Sequence, residues 1–142
     1  MGKRREGREA AIQFLFQQDL HAGEAEKPSL EDFWLLRTAT KKTQEFSGEL
    51  IDGILANQTA IDEQIRKYVA NYDIERIAAV DRNILRLAIY EMLFCKDVPP
   101  VVSINEAIEI AKRYGSEDSS RFVNGVLDRL RHDLPRPART AE

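Results

Sequence analysis

An all-helical single domain is predicted by three observations. Apolar residues recur at spacings of three and four almost throughout the chain. No strand-like alternation survives beyond a few residues. Gly, Pro and capping residues fall between the periodic stretches. With 142 residues, 43% hydrophobic and 32% charged, the chain is long enough and apolar enough to bury a core.

The elements follow in order. A first helix runs from about Arg8 to Leu20, with Ile12, Leu15, Phe16 and Asp19 on one side, and Ala22-Gly23 ends it. A weaker element covers Leu30 to Thr40, where Ser29 and Asp32 stand at capping spacing. Phe46, Leu50, Ile51, Ile54 and Leu55 carry a third helix, which Gly48 and Gly53 each weaken by about 1 kcal/mol relative to Ala. Thr59 is the expected cap of a fourth helix, carried by Ile61, Ile65, Tyr68 and Val69. Asp73 then caps a short turn.

The stretch ILRLAIYEMLFC, 84 to 95, is interrupted only by Arg86 and Glu91, so it is read as the central helix, surrounded by others. Asp97-Val98-Pro99-Pro100 breaks it. Ser103 and Glu106 read as a capping box for a sixth helix that ends at Gly115. Ser116 is the expected cap of the last helix, with Glu117 and Asp118 at its positive end, and the tail from 134 is read as frayed.

Formal net charge is −3, yet basic residues crowd both ends. A single cysteine, Cys95, fits a reducing compartment, and neither a signal-peptide core nor a membrane span is legible, so the reading is cytosolic. Two distant histidines and scattered carboxylates offer no catalytic constellation, no metal set and no cofactor fingerprint. The expectation is a protein that is not an enzyme, with Cys95 an inert core thiol.

The last helix carries a contradiction. At 100° per residue, Val123, Val126, Leu127 and Leu130 share one core-facing sector, whereas Asp118, Arg121, Phe122 and Gly125 lie together on another flank. A ring that can stack on a base, a guanidinium, a carboxylate and a side-chain-free glycine suit an unpaired RNA strand. Two readings stand: RNA contact, or Phe122 broadening the packing face with Asp118 serving the helix dipole. At the amino terminus, Lys3, Arg4, Arg5 and Arg8 form a basic run, and Arg5 and Arg8 project onto the same face as Ile12 and Leu15. Because an arginine is costly in a core, this turn is expected to protrude beyond the packed body, or to be loosened by Gly7 into an arm, and residues 1–8 are read as a basic arm that neutralises phosphates. Four such contacts give a salt slope of about −3 on single strands, a modest value that calls for a protein partner.

Three blocks then carry a resemblance: GREAAIQFLFQ (7–17), VDRNILRLAIYEML (80–93) and VPPVVSINEAIEIAKRYGSEDSSRFVNGVLD (98–128). The chain resembles the NusB family of transcription antitermination factors over nearly its whole length. The resemblance implies two packed helical subdomains in a domain of about seven helices, without enzymatic activity. It implies binding of single-stranded boxA RNA in ribosomal RNA leaders, together with the ribosomal protein NusE, in an antitermination complex with RNA polymerase. By position it assigns Arg4, Arg5, Arg8, Asp118 and Phe122 to RNA, and Phe16 and Asp81 to the ribosomal protein. Lys3 and Arg121 join the RNA set from charge and geometry. Packing alone is an open alternative for Phe16, and helix capping for Asp81. Glu6 interrupts the basic run, and Phe16 stands where the family is familiar with tyrosine. A helical adaptor, or a homodimer that hides the arginine arm, is the competing reading.

Overall fold

The central helix of the sequence is the axis of the molecule. In the computed structural model, which describes residues 2–69 and 73–135, α5 (Ala79–Phe94) packs against α1 (Gly2–Leu20), α3 (Lys41–Ala56), α4 (Gln58–Tyr68), α6 (Pro100–Tyr114) and α7 (Ser119–Asp133). A short α2 (Leu30–Leu35) and a 3-10 turn, Ile74–Arg76, complete the seven helices, and no strand occurs among the described residues. α1 and α3 form one group, and α4, α6 and α7 the other. The buried residues Ile84, Leu85, Leu87, Ala88, Ile89 and Met92 of α5 join both groups in one continuous core.

Several boundaries differ from the sequence reading, each for a local reason. α1 begins at Gly2, six residues earlier than expected, because its first turns are held by ion pairs rather than by apolar burial. α2 stops at Leu35, so Leu35 and Leu36 are exposed; Ser29 does cap it, accepting a hydrogen bond from the Asp32 amide. Asn57 closes α3 and opens α4, so Thr59 lies inside the helix instead of capping it. α6 starts at Pro100, the favoured first position for a residue with no amide donor. Ser103 is consequently inside the helix and buried, and Glu106 is released from capping. Asp118, not Ser116, is the α7 N-cap; the Ser116 amide instead donates to Ser119 Oγ. Gly115 ends α6 without a positive φ. Its need for glycine is spatial, since a Cβ there would stand 2.4 Å from Ser119 Oγ.

Each charged residue of the buried stretch has an internal partner. Arg86 makes a two-pronged bond to Asp62 (2.8 and 3.1 Å) and reaches Asp19, which also accepts from Arg82 and Asn83. Glu91 accepts both prongs of Arg8. Asp19 meets the start of α5 and Arg8 its end, so α1 and α5 run antiparallel.

Candidate nucleic-acid interface

The amino-terminal run is not an arm. It is the first turns of α1, lying on α3, α5 and α6. Arg8 is only 3% exposed, bonded to Glu91 at 2.9 and 2.8 Å and 3.6 Å from Glu106. The cost of burying an arginine is real, but a fully hydrogen-bonded carboxylate offsets it, and the sequence had placed that carboxylate on the buried helix. Arg8 is therefore a tie between α1 and α5 and does not present its guanidinium to a phosphate. Arg5 is half-buried and bidentate to Glu106 at 3.0 and 2.7 Å. That bond to Arg5 holds the Glu106 carboxyl below the ordinary carboxylate range, and raises Arg5 in turn. Lys3 and Arg4 remain exposed, with the Arg4 guanidinium 5.1 Å from the centre of the Phe46 ring.

The strip on α7 is laid out as its periodicity predicts. Val123, Val126 and Leu127 are fully buried, Leu130 nearly so, and Asp118 and Arg121 are exposed, their charges 4.0 Å apart. Phe122 is half-buried: it rests on the edge of the core and turns its free side into an open cavity of about 260 Å³. Arg76, Ile77, Ala78 and Asp81 form the opposite wall, with Asp118 and Ser119 beside the ring. Gly125 has only Arg129 near it, at 3.9 Å from a built Cβ, so the strip beside Phe122 is open to close approach.

For Asp81 the resemblance implies contact with the ribosomal protein, with helix capping as the alternative. Asp81 caps nothing, because α5 begins two residues earlier behind Ala78. It is 8% exposed and lines the Phe122 cavity, and its Oδ1 is buried without a hydrogen-bond partner. Phe16 is half-buried in a neighbouring groove of about 390 Å³, with Ile12, Leu20, Val80 and Tyr114. Adjacent residues of the first turn of α5 thus serve two sites: Val80 faces the Phe16 groove and Asp81 the Phe122 cavity.

Among the described residues no group of His, Cys, Asp or Glu is placed to hold a metal ion, and no helix is long and apolar enough to cross a membrane. Burial pushes the Cys95 thiol up to about 11, so it stays protonated and unreactive at neutral pH. Sequence reasoning missed Glu91 and Glu106. Their signal was present: two arginines on an apolar face and a carboxylate on an all-apolar helix each needed a partner.

Comparison with known proteins decides the family. The NusB family model matches residues 5–132. The chain belongs to the NusB family. It is 44% identical over 138 residues to a transcription antitermination protein NusB of Methylacidiphilum infernorum (isolate V4), covering 97% of this chain and 96% of the relative. It is 44% identical over 135 residues to the NusB of Bacillus subtilis (strain 168), covering 93% and 97%. Among solved structures, T. maritima NusB superposes with a TM-score of 0.83 at 41% identity, covering 94% of this chain and 93% of that one. A NusB solved with NusE and double-stranded RNA superposes with a TM-score of 0.79 at 29% identity, covering 94% and 99%. These curated relatives are named as transcription antitermination proteins, and the family is not enzymatic.

Proposed function

We propose that this member of the NusB family holds an unpaired stretch of nascent RNA, of the boxA type in ribosomal RNA leaders, jointly with NusE, within an RNA polymerase antitermination complex. The observation that carries this reading is the Phe122 cavity: an aromatic face, an exposed carboxylate at Asp118 and the guanidinium of Arg76 line one opening, with Asp81 in its wall. A splayed base stacks on Phe122 and donates an exocyclic amino hydrogen to Asp118, while Arg76 and Arg121 lie near its phosphates. A duplex keeps its bases stacked and offers none of this, so the site favours single strands. Lys3 and Arg4 add phosphate contacts, with Arg5 contributing only its exposed edge; Arg8 acts from inside by fixing α1.

The Phe16 groove suits NusE. It lies one residue along α5 from the RNA cavity, so a protein seated there borders the bound strand; NusE and RNA as joint partners are in keeping with the relative solved with NusE and double-stranded RNA. The exposed Leu20 at the rim of the same groove favours a second reading, a homodimer or adaptor without RNA readout.

A titration separates them. Binding of a boxA-like RNA should be weak alone and markedly tighter with NusE, and Asp118→Asn should change which base is preferred. Affinity that ignores sequence and NusE, together with a dimeric mass in solution, favours the adaptor.

A further inference from the structure

The basic run of α1 divides into two kinds of cation. Arg5 and Arg8 are neutralised by Glu106 and Glu91. Lys3 and Arg4 are exposed and have no carboxylate partner among the described residues, and neither have Lys41 and Lys42 in the first turn of α3. Lys3, Arg4, Lys42, Thr43 and Phe46 line one open cavity of about 250 Å³. Gly7 is what brings the two helices together: a Cβ there would stand 2.7 Å from the Phe46 ring, so only a bare backbone lets α1 lie on that side chain.

The placement is unfavourable for the isolated molecule. The first turns of α1 and α3 contain no acidic residue and carry cations, at the helix end where the macrodipole opposes them. Like charges from two helices also repel across the cavity, in a chain whose net charge is −3. Elsewhere the arginines among the described residues are mostly paired, among them Arg66, Arg82, Arg86, Arg113 and Arg131. An anion supplied from outside removes the repulsion and suits the positive ends of both helix dipoles.

We infer that the corner of α1 and α3 is a second RNA platform, resting on the RNA reading above. It takes backbone phosphates of the strand flanking the segment read at Phe122, on Lys3, Arg4, Lys41 and Lys42, with the Phe46 ring offering a face to a base or sugar. The two platforms lie toward opposite ends of α5: Asp81 lines the Phe122 cavity, whereas Arg4 and Phe46 of the corner also line a cavity with Cys95, and Asp81 to Cys95 is about 20 Å at the helical rise. At stacked single-strand spacing that is about six phosphates, so a short RNA held at Phe122 stops before the corner and a longer one reaches it.

The test compares a short RNA with the same RNA extended by about eight nucleotides at its 5′ or 3′ end. Binding is titrated across salt concentrations for the wild type, Lys41→Gln/Lys42→Gln and Phe122→Ala. One extension should steepen the wild-type salt slope, and the double lysine variant should take back about 1.4 of it, at ~0.7 per phosphate contact. Its effect on the short RNA should be negligible, and its melting temperature unchanged or higher, because two unfavourable charges leave a helix start. An equal slope for the variant on both extended RNAs, with Phe122→Ala still weakening the short RNA, overturns the second platform and leaves the first standing. Loss of NusE affinity in the lysine variant, with the RNA slopes unchanged, overturns it too. Indifference of every RNA to Phe122 brings down both.

Discussion

Two glycines on different helices predict opposite responses to the same substitution. A Cβ at Gly53 would stand 2.1 Å from the Tyr90 hydroxyl, with the ring stacked on Phe94 behind it. Gly53→Ala must displace that ring and should lower stability by about 1–3 kcal/mol, more than the helix-propensity gain restores. Gly125 faces open space, so Gly125→Ala should raise stability by up to ~1 kcal/mol and weaken RNA binding where the strand passes beside Phe122. Urea midpoints together with RNA titration check both signs. Arg8→Ala leaves Glu91 charged and buried without its partner, so it should cost about 3–5 kcal/mol in denaturant unfolding, with the loss appearing in stability far more than in salt slope. Glycines read by propensity alone look alike, because spacing in the chain does not tell which neighbour from another helix occupies the missing Cβ.

At the scale of elements, α6 ties charge to packing. Its proline start moves Ser103 and Glu106 into the helix, and Glu106 joins Arg5 and Arg8 of α1. Since the folded carboxyl lies below its unfolded value, its contribution is complete above the ordinary carboxylate range, about pH 4.3, and is lost as pH falls through the lower folded value. Glu106→Gln should therefore lower stability near neutrality and flatten this part of the acid limb, as urea midpoints measured against pH will show. The helices themselves were legible from periodicity, including the central place of 84–95. Their ends were less so. Ser103 with Glu106, Thr59 and Ser116 each satisfied a local capping pattern, yet tertiary partners and the two prolines set the true boundaries. The protruding arm failed for the same reason, because its counter-charges lie 83 and 101 residues away in sequence.

For the whole molecule, one core joined through α5 supports surfaces of different character at its two ends. Near the start of α5, the Phe16 groove and the Phe122 cavity adjoin across Val80 and Asp81; near its end, unpaired cations from α1 and α3 gather around Phe46. The α7 strip was legible because a strong apolar sector left its other flank conspicuous. The place of Asp81 in the cavity wall and of Lys42 at the corner was not, since only the packed fold brings them to those openings. The most direct measurement is the affinity of an unpaired boxA-like RNA for the wild type and for Phe122→Ala, across salt. Loss of one stacked base, at about 1–3 kcal/mol, predicts weakening of roughly tenfold to a hundredfold with a parallel salt slope. Equal affinities at every salt concentration would contradict the account.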